Sequence, residues 1–233
     1  MSDIVDKIQK LLNQAEHPNT SAAEAETFFA AAQKLMIKYA VDEAAVREAR
    51  GERREPVVAE RWVYATRGWH LGSKNTLLGV VSQAMGVRCV LHPATGKAAN
   101  YRAKCTLVGF ASDIEFVKVL YSSIMLQMLG SLKRDGIRGY GAETGWLAGF
   151  AVAIMRKLEA GREEVKADNS MALVLFDRKK EVDAEYEERF PNARSVTPRK
   201  VDGRYYWDGK RAGQNADVSG GKNGLRQQPR LGS

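Results

Sequence analysis

Apolar residues recur at helical spacing through most of this chain, and the period shifts to that of strands only in the middle. Ile4, Ile8, Leu11, Leu12 and Ala15 predict a first helix. His17-Pro18-Asn19 interrupts it. Ser21 and Glu24 then form a capping box for a second helix whose broad apolar face carries Ala25, Phe28, Phe29, Ala32, Leu35, Met36 and Tyr39. A short third piece opens at Asp42, and the run GERREP at 51–56 has linker composition. Residues 1–50 are therefore expected to form a separable helical module.

The stretch from Glu60 to Ala65 favours a strand by composition. Leu77, Leu78, Val81, Ala84 and Met85 form a helical stripe that Gly86 can terminate. Val87 to Leu91 and Lys104 to Gly109 read as two strands, joined by a long basic hairpin loop from His92 to Ala103. Ser112 and Glu115 make a second capping box, opening a helix to about Arg134 that is apolar on nearly every side and so expected to be central. After DGIRGYG, a further helix is expected from about Glu143 to Ala160.

The last third is expected to be helical. Met171, Leu175, Val182 and Tyr186 fit a helix beginning after Ser170, while Ala172 to Phe176 alone fits a buried strand, and periodicity leaves both readings open. Pro191 and Pro198 bracket a linker. Arg204 to about Asp217 predicts a helix with Gly209, Ala212, Gly213 and Ala216 along one side, a stripe suited to close helix contact. From Ser219 onward the composition is that of a disordered basic tail. The expected fold class is α+β: a helical N-terminal module (1–50), a domain at 57–218 pairing a small antiparallel sheet with long helices, and a tail at 219–233.

Composition adds exclusions. With 44% hydrophobic and 27% charged residues the chain is too apolar to be disordered throughout. Its longest apolar run, Trp146 to Met155, is half a bilayer span, and the N-terminus has acidic residues where a signal peptide needs basic ones. A cytoplasmic protein without membrane contact is expected. Two cysteines, Cys89 and Cys105, rule out a disulfide framework and agree with a reducing compartment.

Charge is unevenly distributed. Residues 1–50 hold 6 Lys/Arg against 8 Asp/Glu, 51–141 hold 13 against 6, 142–190 hold 8 against 11, and 191–233 hold 9 against 3. Two basic blocks thus alternate with two acidic ones, and a polyanion such as DNA suits the basic blocks. Arg204-Tyr205-Tyr206-Trp207-Asp208-Gly209-Lys210-Arg211 interleaves aromatic and basic residues as base stacking and phosphate contact require, though a packed amphipathic helix gives the same pattern. Lys97, Arg102 and Lys104 on the hairpin, and Lys222, Arg226 and Arg230 in the tail, are further phosphate-contact candidates. Phe28, Phe29, Leu35 and Met36 are candidates for docking a protein partner, or for internal packing.

Catalytic chemistry has no named residues. Cys89-x-x-His92 with Cys105, and His70 as a possible fourth ligand, lacks the paired spacing of structural zinc, and buried free cysteines explain it more simply. The glycines at 136, 139 and 141 lack the Lys-Ser/Thr ending of a phosphate loop, and no GxSxG, HExxH or spaced carboxylate pair occurs. The expectation is a protein that is not an enzyme and holds neither cofactor nor metal.

The stretch KIQKLLNQAEHPNTSAAEAETFFAAAQKLMIKYAVDEAAV resembles an N-terminal domain of unknown function (DUF2786 type) found in actinobacteria and their bacteriophages. LVGFASDIEFVKVLYSSIMLQML, GWLAGFAVAIMRKLE and YYWDGKRAGQNADV are similar to the companion domain that usually follows it. The resemblance implies a phage or bacterial cytosolic context and an α+β companion domain, and assigns no functional residues. Together with the charge pattern, it leads to the expectation of an accessory protein that contacts DNA weakly and nonspecifically and modulates a DNA transaction through a partner such as a recombinase. An enzyme of unrecognised type and an antagonist acting by protein binding alone are the alternatives, and the oligomeric state is left open.

Overall fold

The computed structural model describes residues 10–11, 14, 27–28, 31, 35, 55–66, 69–96, 101–166, 169–195 and 203–216. Among these, three strands, β1 (Val57–Ala65), β2 (Arg88–Leu91) and β3 (Ala103–Phe110), form one antiparallel sheet in the order β1-β3-β2. Five helices accompany it: α1 (Leu71–Ala84), α2 (Ala111–Arg134), α3 (Tyr140–Lys166), α4 (Asn169–Arg189) and α5 (Arg204–Gln214). Both outer strands run antiparallel to β3, so they are parallel to each other, and α1 makes the crossover between them. The mixed helix-and-sheet architecture agrees with the expected α+β class.

Covering helices on both sides explain why nearly every β3 residue is buried. Trp62 pairs with Cys105 and Cys89 with Leu107, which puts Val58, Trp62, Cys89 and Leu91 against the main core with Cys105 and Leu107. Here α2 lies across the sheet, with Tyr121 edge-on to Trp62 at 5.4 Å and to Tyr64 at 6.2 Å. The opposite face carries Thr106, Val108 and Phe110, and α4 covers it. Arg178 of α4 sits 3.7 Å over the Phe110 ring and pairs with Asp113 at 2.8 Å, while Arg88 pairs with Asp183 at 2.7 Å. The 171–176 ambiguity is thereby settled in favour of a helix.

Two local expectations change. The capping box at Ser112 and Glu115 does not form, because β3 passes into α2 without a loop and Phe110 occupies the N-cap. Ser112 is consequently inside the helix with its hydroxyl buried and unbonded, and Glu115 accepts from Lys118 at 2.7 Å instead. The helix expected from Glu143 begins at Tyr140, directly after Gly139 at φ 97°, and runs on to Lys166. Gly86, at φ 75°, ends α1 as expected: its N–H donates to Gln83 O and that of Val87 to Ser82 O.

The small-residue side of α5 is buried against α3. A Cβ at Gly149 would fall 1.9 Å from Tyr206 O, and one at Gly209 would fall 1.8 Å from Trp146 O, so the two backbones meet where only glycine fits. Around this contact lie the fully buried Trp146 and Phe150, stacked at 5.4 Å.

Leu11 and Leu35 lie against the main core. The first capping box, the turn at His17, the Asp42 helix, most of the GERREP run and the tail lie outside the described residues. No helix among the described residues is long and apolar enough to cross a membrane.

Candidate nucleic-acid interface

Three helices begin at the same end of the molecule. His70, just before α1, reaches Glu143 in the first turn of α3, and Arg162 far along α3 donates to Gln83 O at the end of α1, so these helices are parallel. Along α5, Gly209 meets Trp146, Gly213 meets Phe150 and Ala153, and Lys157 donates to Ala216 O, so α5 is parallel to both. At a rise of about 1.5 Å per residue, Tyr140, His70, Tyr205 and Trp207 fall within about 6 Å of one another along the common axis. The β2–β3 hairpin projects at this end too: Ala103 pairs with Ala65, and Tyr64 donates to Asn75 Oδ1 in α1 at 2.6 Å.

Exposed aromatic rings stand at this end in two groups, Trp69 and Tyr140 around His70, and Tyr205 and Trp207 on α5. Trp69 (46% exposed), Tyr140 (75%), Tyr205 (39%) and Trp207 (57%) all occupy first-turn or pre-helix positions, whereas Phe176 on α4 lies elsewhere. Bulky side chains left in water are informative when they gather rather than scatter.

His70 organises part of this group. It adopts a left-handed conformation, φ 48° and ψ 42°, the sole non-glycine residue among those described to do so, at a cost of about 1–3 kcal/mol. Its Nε2–H donates to the Glu143 carboxylate at 2.6 Å, and Nδ1 lies 3.4 Å from the Thr144 hydroxyl, which itself donates to Tyr140 O at 2.6 Å. The imidazole side chain is 2% exposed and is held between Glu143 and Thr144. Tyr140 stacks on it at 5.1 Å and 13°, and Trp69 meets it edge-on at 4.2 Å. In the sequence His70 is marked only as a zinc-ligand candidate; Trp69, Tyr140 and Arg138 carry no local signal, since Trp69 and His70 stand far from Tyr140 along the chain.

Cations accompany the rings. Lys210 sits 4.7 Å over the Trp207 ring, and Arg211, with its side chain 74% exposed, pairs with Asp208. Arg134, the last residue of α2, and Arg138, on the α2–α3 connection, are exposed. The carboxylates here are engaged: Glu143 with His70, Asp208 with Arg211, and Asp135 as acceptor from Trp146 Nε1 at 2.9 Å. Between α2 and α5 opens a cleft of about 580 Å³ bordered by Arg134, Asp135, Ile137, Asp208, Arg211 and Asn215.

The sequence candidates divide as follows. Lys210 and Arg211 stand on α5 at the aromatic end, and Arg204 opens that helix, its side chain outside the described residues. Tyr206 is half-buried while Tyr205 and Trp207 are exposed, so α5 is both a packed helix and a display of rings and cations. Lys104 is exposed on β3; Arg102 is half-buried, bridged to Thr95 and donating to Tyr101 O at 2.9 Å. Phe28 and Leu35 are half-buried. Lys97, Lys222, Arg226, Arg230, Phe29 and Met36 lie outside the described residues. His70 bonds to Glu143, whereas His92 Nε2 and Thr106 Oγ1 are 2.7 Å apart, so the four residues weighed for zinc divide between two places. Among the described residues no three His, Cys, Asp or Glu side chains are grouped to hold a metal ion.

No curated protein and no solved structure matches the chain. Residues 3–43 match one family model, described as protein of unknown function (DUF2786), and the N-terminal segment is therefore similar to that domain of unknown function.

Proposed function

We propose that this protein is a phage-type accessory protein that modulates a DNA transaction, in its sharpest form the directionality of site-specific recombination, through a recombinase partner and with weak nonspecific DNA contact. The observation that supports it best is the outer side of α5, where Trp207, Lys210 and Arg211 stand together and Arg134 borders the same cleft as Arg211. Cations on a rigid helix suit phosphate oxygens whatever the base sequence. The cations Arg134, Arg138, Lys210 and Arg211 outnumber the carboxylates Asp135, Glu143 and Asp208 at this end by one. Partner docking is assigned to the N-terminal apolar positions Phe28, Phe29 and Met36, with Leu35 anchoring that segment to the core.

Duplex affinity, measured by fluorescence anisotropy between 50 and 400 mM salt, is expected to fall on a log–log line of slope about −0.9 per phosphate contacted, and the double variant Lys210→Glu/Arg211→Glu should flatten it by about two contacts. Addition of the protein to the recombinase encoded in the same genome should change the ratio of excision to integration products. Salt-independent or absent DNA binding would remove the nucleic-acid part of the reading; an unchanged product ratio and no complex with the recombinase would remove the rest.

A further inference from the structure

We infer that the end of the molecule where α1, α3 and α5 begin binds single-stranded nucleic acid by stacking bases on Tyr140 and Trp207, with Trp69 and Tyr205 beside them. The inference rests on the nucleic-acid reading of this same end and adds the class of strand. Phosphate contact alone needs no aromatic rings, and a duplex keeps its base faces covered by neighbouring bases. Unpaired bases have open faces, and every base can stack on a ring.

The rings are held as a stacking surface requires. Tyr140 has one face on His70, at 5.1 Å and 13°, yet remains 75% exposed; Trp207 has Lys210 4.7 Å over its ring and remains 57% exposed. Tyr140 is thus backed by the buried His70 and Trp207 by the Lys210 ammonium, and each ring leaves area for a base. The left-handed backbone at His70 and its bond to Glu143 fix the support of Tyr140, and the glycine contact of α5 with α3 fixes the helix that carries Trp207 and Lys210. Such pre-ordering reduces the entropy lost on binding. Arg134, Arg138, Lys210 and Arg211 supply the charge that a strand's phosphates complement. No partner for Arg138 occurs among the described residues.

The full-length protein is titrated into three fluorescein-labelled probes at about 100 mM salt: a twelve-nucleotide oligothymidylate, an abasic strand of equal length and charge, and a twelve-base-pair duplex. Oligothymidylate should bind at least tenfold more tightly than the abasic strand and quench tryptophan fluorescence. Trp207→Ala and Tyr140→Ala should each weaken it about fivefold or more, with the salt slope unchanged, while Tyr140→Phe, which keeps the ring, should bind as wild type. Trp207 is exposed, so its variant preserves the fold even if Tyr140→Ala disturbs His70; matched circular dichroism checks both. Equal affinity for the thymidylate and abasic strands, or ring variants that bind normally, overturns the stacking inference while the phosphate reading stands. No binding to any probe overturns both. Loss of recombinase binding in Trp207→Ala with unchanged oligothymidylate affinity would reassign the rings to protein docking.

Discussion

Gly149→Ala tests the packing that carries α5. Its new Cβ would lie 1.9 Å from Tyr206 O and 2.8 Å from Lys210 N, both backbone atoms that cannot rotate away. Restoring a separation of 3.0 Å, the least that real Cβ contacts show, moves the helices apart by about 1.1 Å. A gap of about 0.5–1 Å already forfeits a quarter to a half of a dispersion contact, and overpacking costs about 1–3 kcal/mol or more. Alanine returns about 0.8–1.0 kcal/mol of helix propensity. With a rigid obstacle the steric loss lies at the upper end, giving net destabilisation of about 2 kcal/mol and a Tm lower by about 4–8 °C for a domain of this size. Gly209→Ala, 1.8 Å from Trp146 O, should behave alike. One separation of the helices relieves both clashes, so the double variant should cost clearly less than the two single losses together. Thermal and urea unfolding of the four proteins completes the cycle. A Gly149→Ala protein more stable than wild type by about 1 kcal/mol, as propensity alone dictates, would refute the reasoning.

Other outcomes follow from the same packing. Arg178→Met leaves Asp113, whose pair with Arg178 is 11–13% exposed, without its partner and should cost about 3 kcal/mol or more at pH 7. Burial already holds the Asp113 carboxyl above its ordinary range despite Arg178, so the folded state takes up its proton before the unfolded chain does; the variant should regain stability as pH falls, and chemical denaturation at pH 7 and 5 reads the difference. Leu35→Ala should lower stability by about 1–2 kcal/mol because Leu35 lies against the core, and a full-length protein indifferent to it would favour the N-terminal segment as a separable module. The Cys105 thiol, pushed up by its hydrogen bond to Cys89 and by burial, should resist iodoacetamide at pH 8 until the protein unfolds, as mass spectrometry of the alkylated peptide would reveal.

Elements with strong periodicity were legible in the chain; their relations were not. The stripe Gly209, Ala212, Gly213, Ala216 announced close helix contact, and Gly86 announced the end of α1, because both signals are local. The capping box at Ser112 misled because strand pairing of Phe110 with Val57 brings the helix start forward, which no window around Ser112 records. The aromatic end was half visible. Trp207, Lys210 and Arg211 share one short stretch, but Trp69 and Tyr140 join them only through the parallel packing of α1, α3 and α5. His70 was the least legible of all, since a left-handed histidine is dictated by its tertiary partners and not by its neighbours in sequence.

The central strand of the sheet is also the last of the three to be made. Val57–Ala65 and Arg88–Leu91 bond to β3 and not to each other, so neither has a strand partner until Phe110 has been translated. At about 5–20 residues per second, Ala65 precedes Phe110 by about 2–9 s, a wait during which a nascent apolar strand presents unpaired backbone to water. Sheet formation is therefore deferred and then abrupt, with both ladders closing around one arriving segment. Ribosome-bound chains halted before residue 103 would be clients for chaperones, and those halted well past 134, with α2 available to cover the new sheet, would not.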